Sequence, residues 1–254
     1  MKRIKESHFY KTLLLIKSKP KLIFLMVLFD ILFFASIYYS ANLITLILQK
    51  LTLNNISNRT LSFFLLALFY ILLLIFIYSF FKYCVLDFIK SLKKKNLGFN
   101  FKKLAKFYLL NLIILISAFI IFAAVYSLVK IIFIMQFAKI ILLSFFVAYL
   151  ILINAFINLS HIFFIKEDNV GDILKKSSGF LFRFRYILIY VNSFLVFLGF
   201  YVIYYLLVLI FKSLILSYYQ IYFTVFTILT SIVIYLIFIL FNRIYFYEIM
   251  GKSG

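Results

Sequence analysis

The sequence predicts an all-α polytopic membrane protein, with six transmembrane helices and with cytoplasmic amphipathic helices before spans 1, 3 and 5. Three observations support this class. The 254-residue chain is 67% hydrophobic with a mean hydropathy of +1.17, whereas a soluble domain is about half apolar. Its apolar residues fall into six runs of the roughly 20 residues that a bilayer-spanning helix needs. Its lysines and arginines collect between these runs, on one side of them.

A basic segment precedes the first and the third span. Residues 1–21 are predicted to form an amphipathic helix at the membrane interface. Ser7 is placed to cap it, and Pro20 ends it because proline disfavours helix in the residue before it. Residues 84–106 are the most basic segment of the chain. Asn100 is placed there to cap the helix that follows.

The third basic segment, residues 166–186, is the longest polar stretch in the second half of the chain. Asn169 is predicted to cap a surface helix, with Asp172 in the first turn, where the helix dipole favours a carboxylate. The whole chain, residues 1–254, is predicted to form one integral membrane domain. Its predicted spans are residues 22–43, 61–83, 107–129, 140–165, 186–210 and 220–245.

The distribution of positive charge predicts the orientation. Of the 27 lysines and arginines, 22 lie in the segments at one end of the spans. The five at the other end are Lys50, Arg59, Lys130, Lys139 and Lys212. Because positive residues concentrate on the cytoplasmic side, we expect a multi-pass protein of the cell membrane with both termini in the cytoplasm. The first apolar run is longer than the core of a signal peptide, so it is expected to be retained as a span.

Polar residues within the spans collect toward the predicted cytoplasmic half. Asn154, Asn158 and His161 are spaced by four and three residues along the fourth span, so they share one face of the helix. Asp30 is the strongest single functional candidate, paired with His161 or Arg243, because an intramembrane carboxylate is costly without a partner. Two interpretations stay open, namely a shallow cavity that opens inward, or hydrogen bonds that only set helix packing. The predicted cluster comprises Asp30, Asn111, Asn154, Asn158, His161 and Asn192.

Lysines beside the spans predict an anionic lipid partner. A juxtamembrane lysine is drawn to anionic lipid by about 1 kcal/mol, and the net charge of the chain is +20. Their position directly beside the spans favours lipid over nucleic acid, so no nucleic-acid partner is predicted, while a protein partner at the same face stays open. The predicted lipid-facing residues are Lys93, Lys94, Lys95, Lys102, Lys103, Lys175 and Lys176.

The run GDILKKS at residues 171–177 is followed by Phe180, Phe182 and Phe184, and then by the span from Tyr186. This pattern and the six-span layout resemble a broad group of uncharacterised prokaryotic membrane proteins. The group includes the membrane domain found beside glycerophosphodiester phosphodiesterases. The tryptophan often seen in such segments is missing here. The resemblance implies a membrane-embedded accessory role and carries over no catalytic residue.

The predicted function is therefore that of a non-enzymatic structural or accessory membrane protein, which engages anionic lipid or a protein partner at its basic cytoplasmic face. The alternative is a small permease or lipid transporter that uses the inward-facing polar cluster. Transporters often break helices with Gly or Pro at the substrate site, and here only Gly199 lies within a predicted span. No HExxH, GxSxG or P-loop motif occurs, so no catalytic residue, cofactor or metal ligand is predicted.

Overall fold

The computed structural model is all-helical in the part of the chain that it describes, with no strand there, which confirms the predicted all-α class. The described residues are 8–53, 59–93, 99–132, 135–166, 169–183, 198–199, 202, 205–206, 209, 227, 229–231, 241, 243–245 and 247. The helices with defined bounds are α1 (His8–Ser18), α2 (Pro20–Leu53), α3 (Arg59–Lys93), α4 (Phe101–Ile132), α5 (Met135–Lys166) and α6 (Val170–Leu181).

Four of these helices, α2 to α5, are long and apolar enough to cross a membrane. Only 6–11% of the residues in the most apolar stretch of each are buried within the protein. Leaving so much apolar surface in water would cost about 25 cal/mol per Å², so the four helices indicate a membrane-embedded protein. The predicted spans 186–210 and 220–245 lie mostly outside the described residues. The four candidate stretches are Pro20–Lys50, Leu61–Ser91, Phe101–Ile132 and Ile141–Ile165.

The long helices extend beyond the predicted spans. Helix α2 continues to Leu53 where the predicted span is 22–43, and α3 continues to Lys93 where the predicted span is 61–83. Hydropathy identifies the part of a helix that fits a hydrocarbon core about 30 Å thick. The 34 residues of α2 make a helix about 51 Å long at a rise of about 1.5 Å per residue. No proline or glycine stops either helix at the edge of its apolar run.

The basic segment 84–106 differs from its predicted form. Its first part, as far as Lys93, continues α3, and its last part begins α4 at Phe101. Residues 94–98 lie outside the described part. The separate amphipathic helix expected before the third span is therefore absent from the residues that the structure describes. Nothing in the sequence between the apolar run and Lys93 ends the preceding helix, so that helix simply continues.

The side-chain caps predicted at two helix starts are confirmed. Asn100 Oδ1 accepts hydrogen bonds from the backbone N–H groups two and three residues further on, at 2.9 and 3.3 Å. Asn169 Oδ1 accepts one from the N–H group two residues further on, at 3.2 Å. As predicted, α1 ends just before the proline, at Ser18, and α2 begins at Pro20. Ser7 lies outside the described residues.

The chain divides into two compact units, a central unit, Ile31–Leu181, and a terminal unit that combines Met1–Asp30 with Phe182–Gly254. In the central unit, α3, α4 and α5 pack against one another and α6 packs on α5. Phe107 of α4, Leu159 of α5 and Ile173 of α6 are fully buried there.

Candidate functional site

A buried hydrogen-bonded network joins three helices of the central unit. His161 Nε2 of α5 lies 2.8 Å from Asn111 Oδ1 of α4, and Asn111 Nδ2 donates to Ser79 Oγ of α3 at 2.9 Å. Because an amide oxygen can only accept, the imidazole donates from Nε2. All three residues are at most 5% exposed. The structure thus brings together two predicted site residues, Asn111 and His161, and adds Ser79.

Aromatic rings surround the imidazole of this network. The ring centroid of His161 lies 4.8 Å from that of Phe107 and 6.1 Å from that of Tyr78. Phe107 in turn lies 4.8 Å from Phe164 of α5. The hydrogen bonds therefore lie among apolar groups, where an unmade bond leaves a costly unsatisfied atom. This placement suits a contact that holds three helices in one register.

An ion pair holds the intramembrane carboxylate of the terminal unit. Arg243 Nη1 lies 2.7 Å from Asp30 Oδ1 and 2.8 Å from Oδ2. The Asp30 side chain is 7% exposed and that of Arg243 is 21% exposed. A buried charge costs several kcal/mol, roughly, unless it is paired. The sequence offers His161 and Arg243 as possible partners of Asp30. In the structure Asp30 bonds Arg243, and His161 bonds Asn111 instead.

Two other members of the predicted cluster bond each other. Asn158 Nδ2 donates to Asn154 Oδ1 at 3.1 Å, one turn apart on α5. Asn158 is half-buried, whereas Asn154 is exposed, as side chains on the outer surface of a bundle are. Asn192 lies outside the described residues.

Sequence reasoning missed Ser79 as part of the network. A lone serine in a helix usually bonds a carbonyl of its own helix, as Ser36 and Ser40 of α2 do at 2.8 Å. Nothing in the sequence around Ser79 distinguishes it from these two. Its partner follows only from the packing of α3 against α4.

The predicted lipid-facing lysines fall partly within the described structure. Lys93 is the last residue of α3, and Lys94 and Lys95 lie outside the described residues. The first turn of α4 and the surface of α6 carry the other four. These four exposed side chains are Lys102, Lys103, Lys175 and Lys176.

Within the described ranges, no group of three or more His, Cys, Asp or Glu side chains is positioned to hold a metal ion. Comparison with known proteins adds no relative, because no protein-family model, no curated protein and no solved structure matches this chain. The resemblance to the membrane domain beside glycerophosphodiester phosphodiesterases therefore stays a prediction.

Proposed function

We propose that this chain is a non-enzymatic, multi-pass protein of the cell membrane, which engages anionic lipid through a basic cytoplasmic face and serves a structural or accessory role. In this proposal six helices cross the membrane and both termini lie in the cytoplasm. Helices α2 to α5 supply the first four crossings, and residues 186–210 and 220–245 supply the last two. A protein partner could dock on the same face.

Exposed lysines next to the apolar helices carry the proposal. Lys102 and Lys103 lie in the first turn of α4, and Lys175 and Lys176 lie on α6, just after the end of α5. Successive spans run in opposite directions, so the start of α4 and the end of α5 belong to the same side of the membrane. Each lysine near an anionic leaflet contributes about 1 kcal/mol of attraction. A basic cytoplasmic face formed by these lysines would therefore prefer anionic over zwitterionic lipid.

The two intramembrane polar contacts support a structural role over the permease alternative. Asp30 is paired with Arg243, and the network of His161, Asn111 and Ser79 is internally bonded. A solute would have to replace these bonds in an apolar setting, and a buried group left without its partner costs about 1–3 kcal/mol. The arrangement thus favours helix packing as the role of these side chains.

Native mass spectrometry of the protein extracted with its surrounding lipids tests this function. We expect retained anionic phospholipid or a co-purifying protein, and no dependence of either on the carboxylate of Asp30. A bare protein that instead holds a small solute, lost in Asp30→Asn, would contradict the proposal and favour a permease.

A further inference from the structure

An apolar groove of about 510 Å³ lies between α4 and α5 and reaches α6. Binding sites for small molecules commonly enclose about 300–1,000 Å³, with mostly apolar walls and a few placed polar groups. The walls here include Ile114 on α4 and Leu152 and Phe156 on α5. On the α6 side, Lys175 lines the groove, and its side chain is exposed. The groove therefore combines an apolar slot with one cation in its wall.

The groove extends along α4 and α5 and is also lined by α6, from Leu174 to Leu181. On α4 its lining runs from Ile113 to Ile121, eight residues or about 12 Å along the axis. On α5 it runs from Phe156 back to Tyr149, seven residues or about 10 Å. Helix α6 begins four residues after the end of α5, and Leu174 and Lys175 of its second turn are the lining residues closest in sequence to this connection.

An aromatic cluster borders this slot at Tyr149. The hydroxyl of Tyr149 donates a hydrogen bond to the backbone carbonyl of Ala118, across the gap between α5 and α4. The ring of Phe122 lies 5.9 Å from Tyr149 and 5.7 Å from Phe146, measured between centroids. The side of the slot stays open, because Ile121 is 53% exposed. A chain-like molecule could thus enter from the bilayer and lie against Tyr149.

We propose that the groove holds one acyl chain of an anionic phospholipid of the cytoplasmic leaflet, with the phosphate of that lipid at Lys175. This site rests on the proposed function, because the topology proposed there puts α6 at the cytoplasmic surface. An acyl chain needs no hydrogen bonds and matches the apolar walls. An ammonium is a point charge that binds phosphate, and the net charge of +20 favours an anionic lipid over a zwitterionic one.

A photoreactive lipid tests the site in the full-length protein. Phosphatidylglycerol with a diazirine at the end of one acyl chain is incorporated in nanodiscs, and the labelled residues are mapped by mass spectrometry. We expect label around Tyr149 and Phe122, displaced by unlabelled phosphatidylglycerol but not by phosphatidylcholine. Lys175→Gln should weaken labelling about fivefold, which corresponds to the attraction of one lysine. Lys50→Gln, an equal charge change at an exposed position outside both the groove and the basic face, should leave this label in place.

Groove-filling variants separate a bound lipid from the general lipid shell. Ala118→Phe and the smaller Ser117→Leu occupy the slot from α4, and each should abolish the label at Tyr149. Ile120→Phe, on an exposed face of the same helix, is the matched control and should not change it. Thermal unfolding verifies that each variant is folded. If Ala118→Phe does not fold, Ser117→Leu is the filling variant that tests the site.

Each of the following outcomes would contradict the proposed lipid site in the groove. Label that persists in both filling variants, or that falls only on exposed residues such as Ile120, would show ordinary surrounding lipid. Absence of label at Tyr149 would show that the groove is closed to lipid by other parts of the chain. If the protein still retains anionic lipid in native mass spectrometry, only the groove site fails. If it shows no anionic preference in either measurement, the proposed function fails as well.

Discussion

Polar side chains in the apolar helices of this protein contribute to stability through the specific partners that they bond. Asp30 and Arg243 cancel each other's charge at 2.7 Å, and Asn111 uses both ends of its amide, toward His161 and toward Ser79. Removing one partner leaves the other buried without its bond, and that penalty usually exceeds the net contribution of the bond itself.

Replacing one partner of the ion pair should therefore destabilise the protein more than replacing both. Breaking a buried pair costs about 3–5 kcal/mol. Because the Arg243 side chain is 21% exposed, we expect Asp30→Leu to lower the free energy of unfolding by about 2 kcal/mol. The double variant Asp30→Leu/Arg243→Leu should recover most of this loss. A double-mutant cycle of unfolding in detergent measures the coupling, and strictly additive losses would contradict the pairing.

Asn111→Leu should also destabilise the fold. It removes two hydrogen bonds, each worth about 0.6–2 kcal/mol between membrane helices, so we expect a loss of about 1–4 kcal/mol. The control is Asn154→Ala, at an exposed position with a bond along its own helix, which should cost less than about 0.5 kcal/mol. Unfolding of both variants side by side measures the difference. Equal losses would mean that the network does not hold the three helices.

The sequence identifies amides and ionisable groups within the apolar runs that need a partner, but not which partner each of them takes. Asn111 and His161 are recognisable because an amide or an imidazole in an apolar run needs a partner. Which partner it finds depends on the rotation and register of two helices that are far apart in the chain. This is why two partners remain open for Asp30 at the level of sequence, and why Ser79 escapes notice.

At the scale of helices, the sequence indicates a boundary where a capping residue or a proline marks it, and it misses the ends of two helices that have no such residue. Asn100 and Asn169 cap α4 and α6 as predicted, because a cap acts on the N–H groups two or three residues away. The ends of α2 and α3 are missed by ten residues each. The sequence marks where apolar character stops, but a helix without proline or glycine continues past that point.

Asn100→Ala should lower the free energy of unfolding by about 1 kcal/mol, because it removes the side-chain acceptor of the first turn of α4. Asn100→Ser keeps an acceptor and should lose little. Thermal unfolding of the two variants against the parent measures the cap. An equal loss in both would indicate that another feature of this position, not the cap, stabilises the helix.

At the scale of the molecule, the proposed topology predicts which helix ends face the cytoplasm. With Cys84, which is 7% exposed, replaced by serine, single cysteines introduced as Lys102→Cys and Lys130→Cys mark the two ends of α4. A thiol reagent that does not cross membranes, added to intact cells, should label the Lys130 position only. Permeabilised cells should label both. Labelling of the Lys102 position alone in intact cells would reverse the topology.

The preference of the protein for anionic lipid tests the proposed basic face most directly. Binding of phosphatidylglycerol in nanodiscs is compared between two variants with the same change of charge, Lys102→Gln/Lys103→Gln and Lys50→Gln/Lys130→Gln. At about 1 kcal/mol per lysine, the first should bind about 30-fold more weakly than the parent, with an effect that fades at high salt. The second should match the parent. Equal weakening in both variants, or in neither, would contradict a lipid-binding cytoplasmic face.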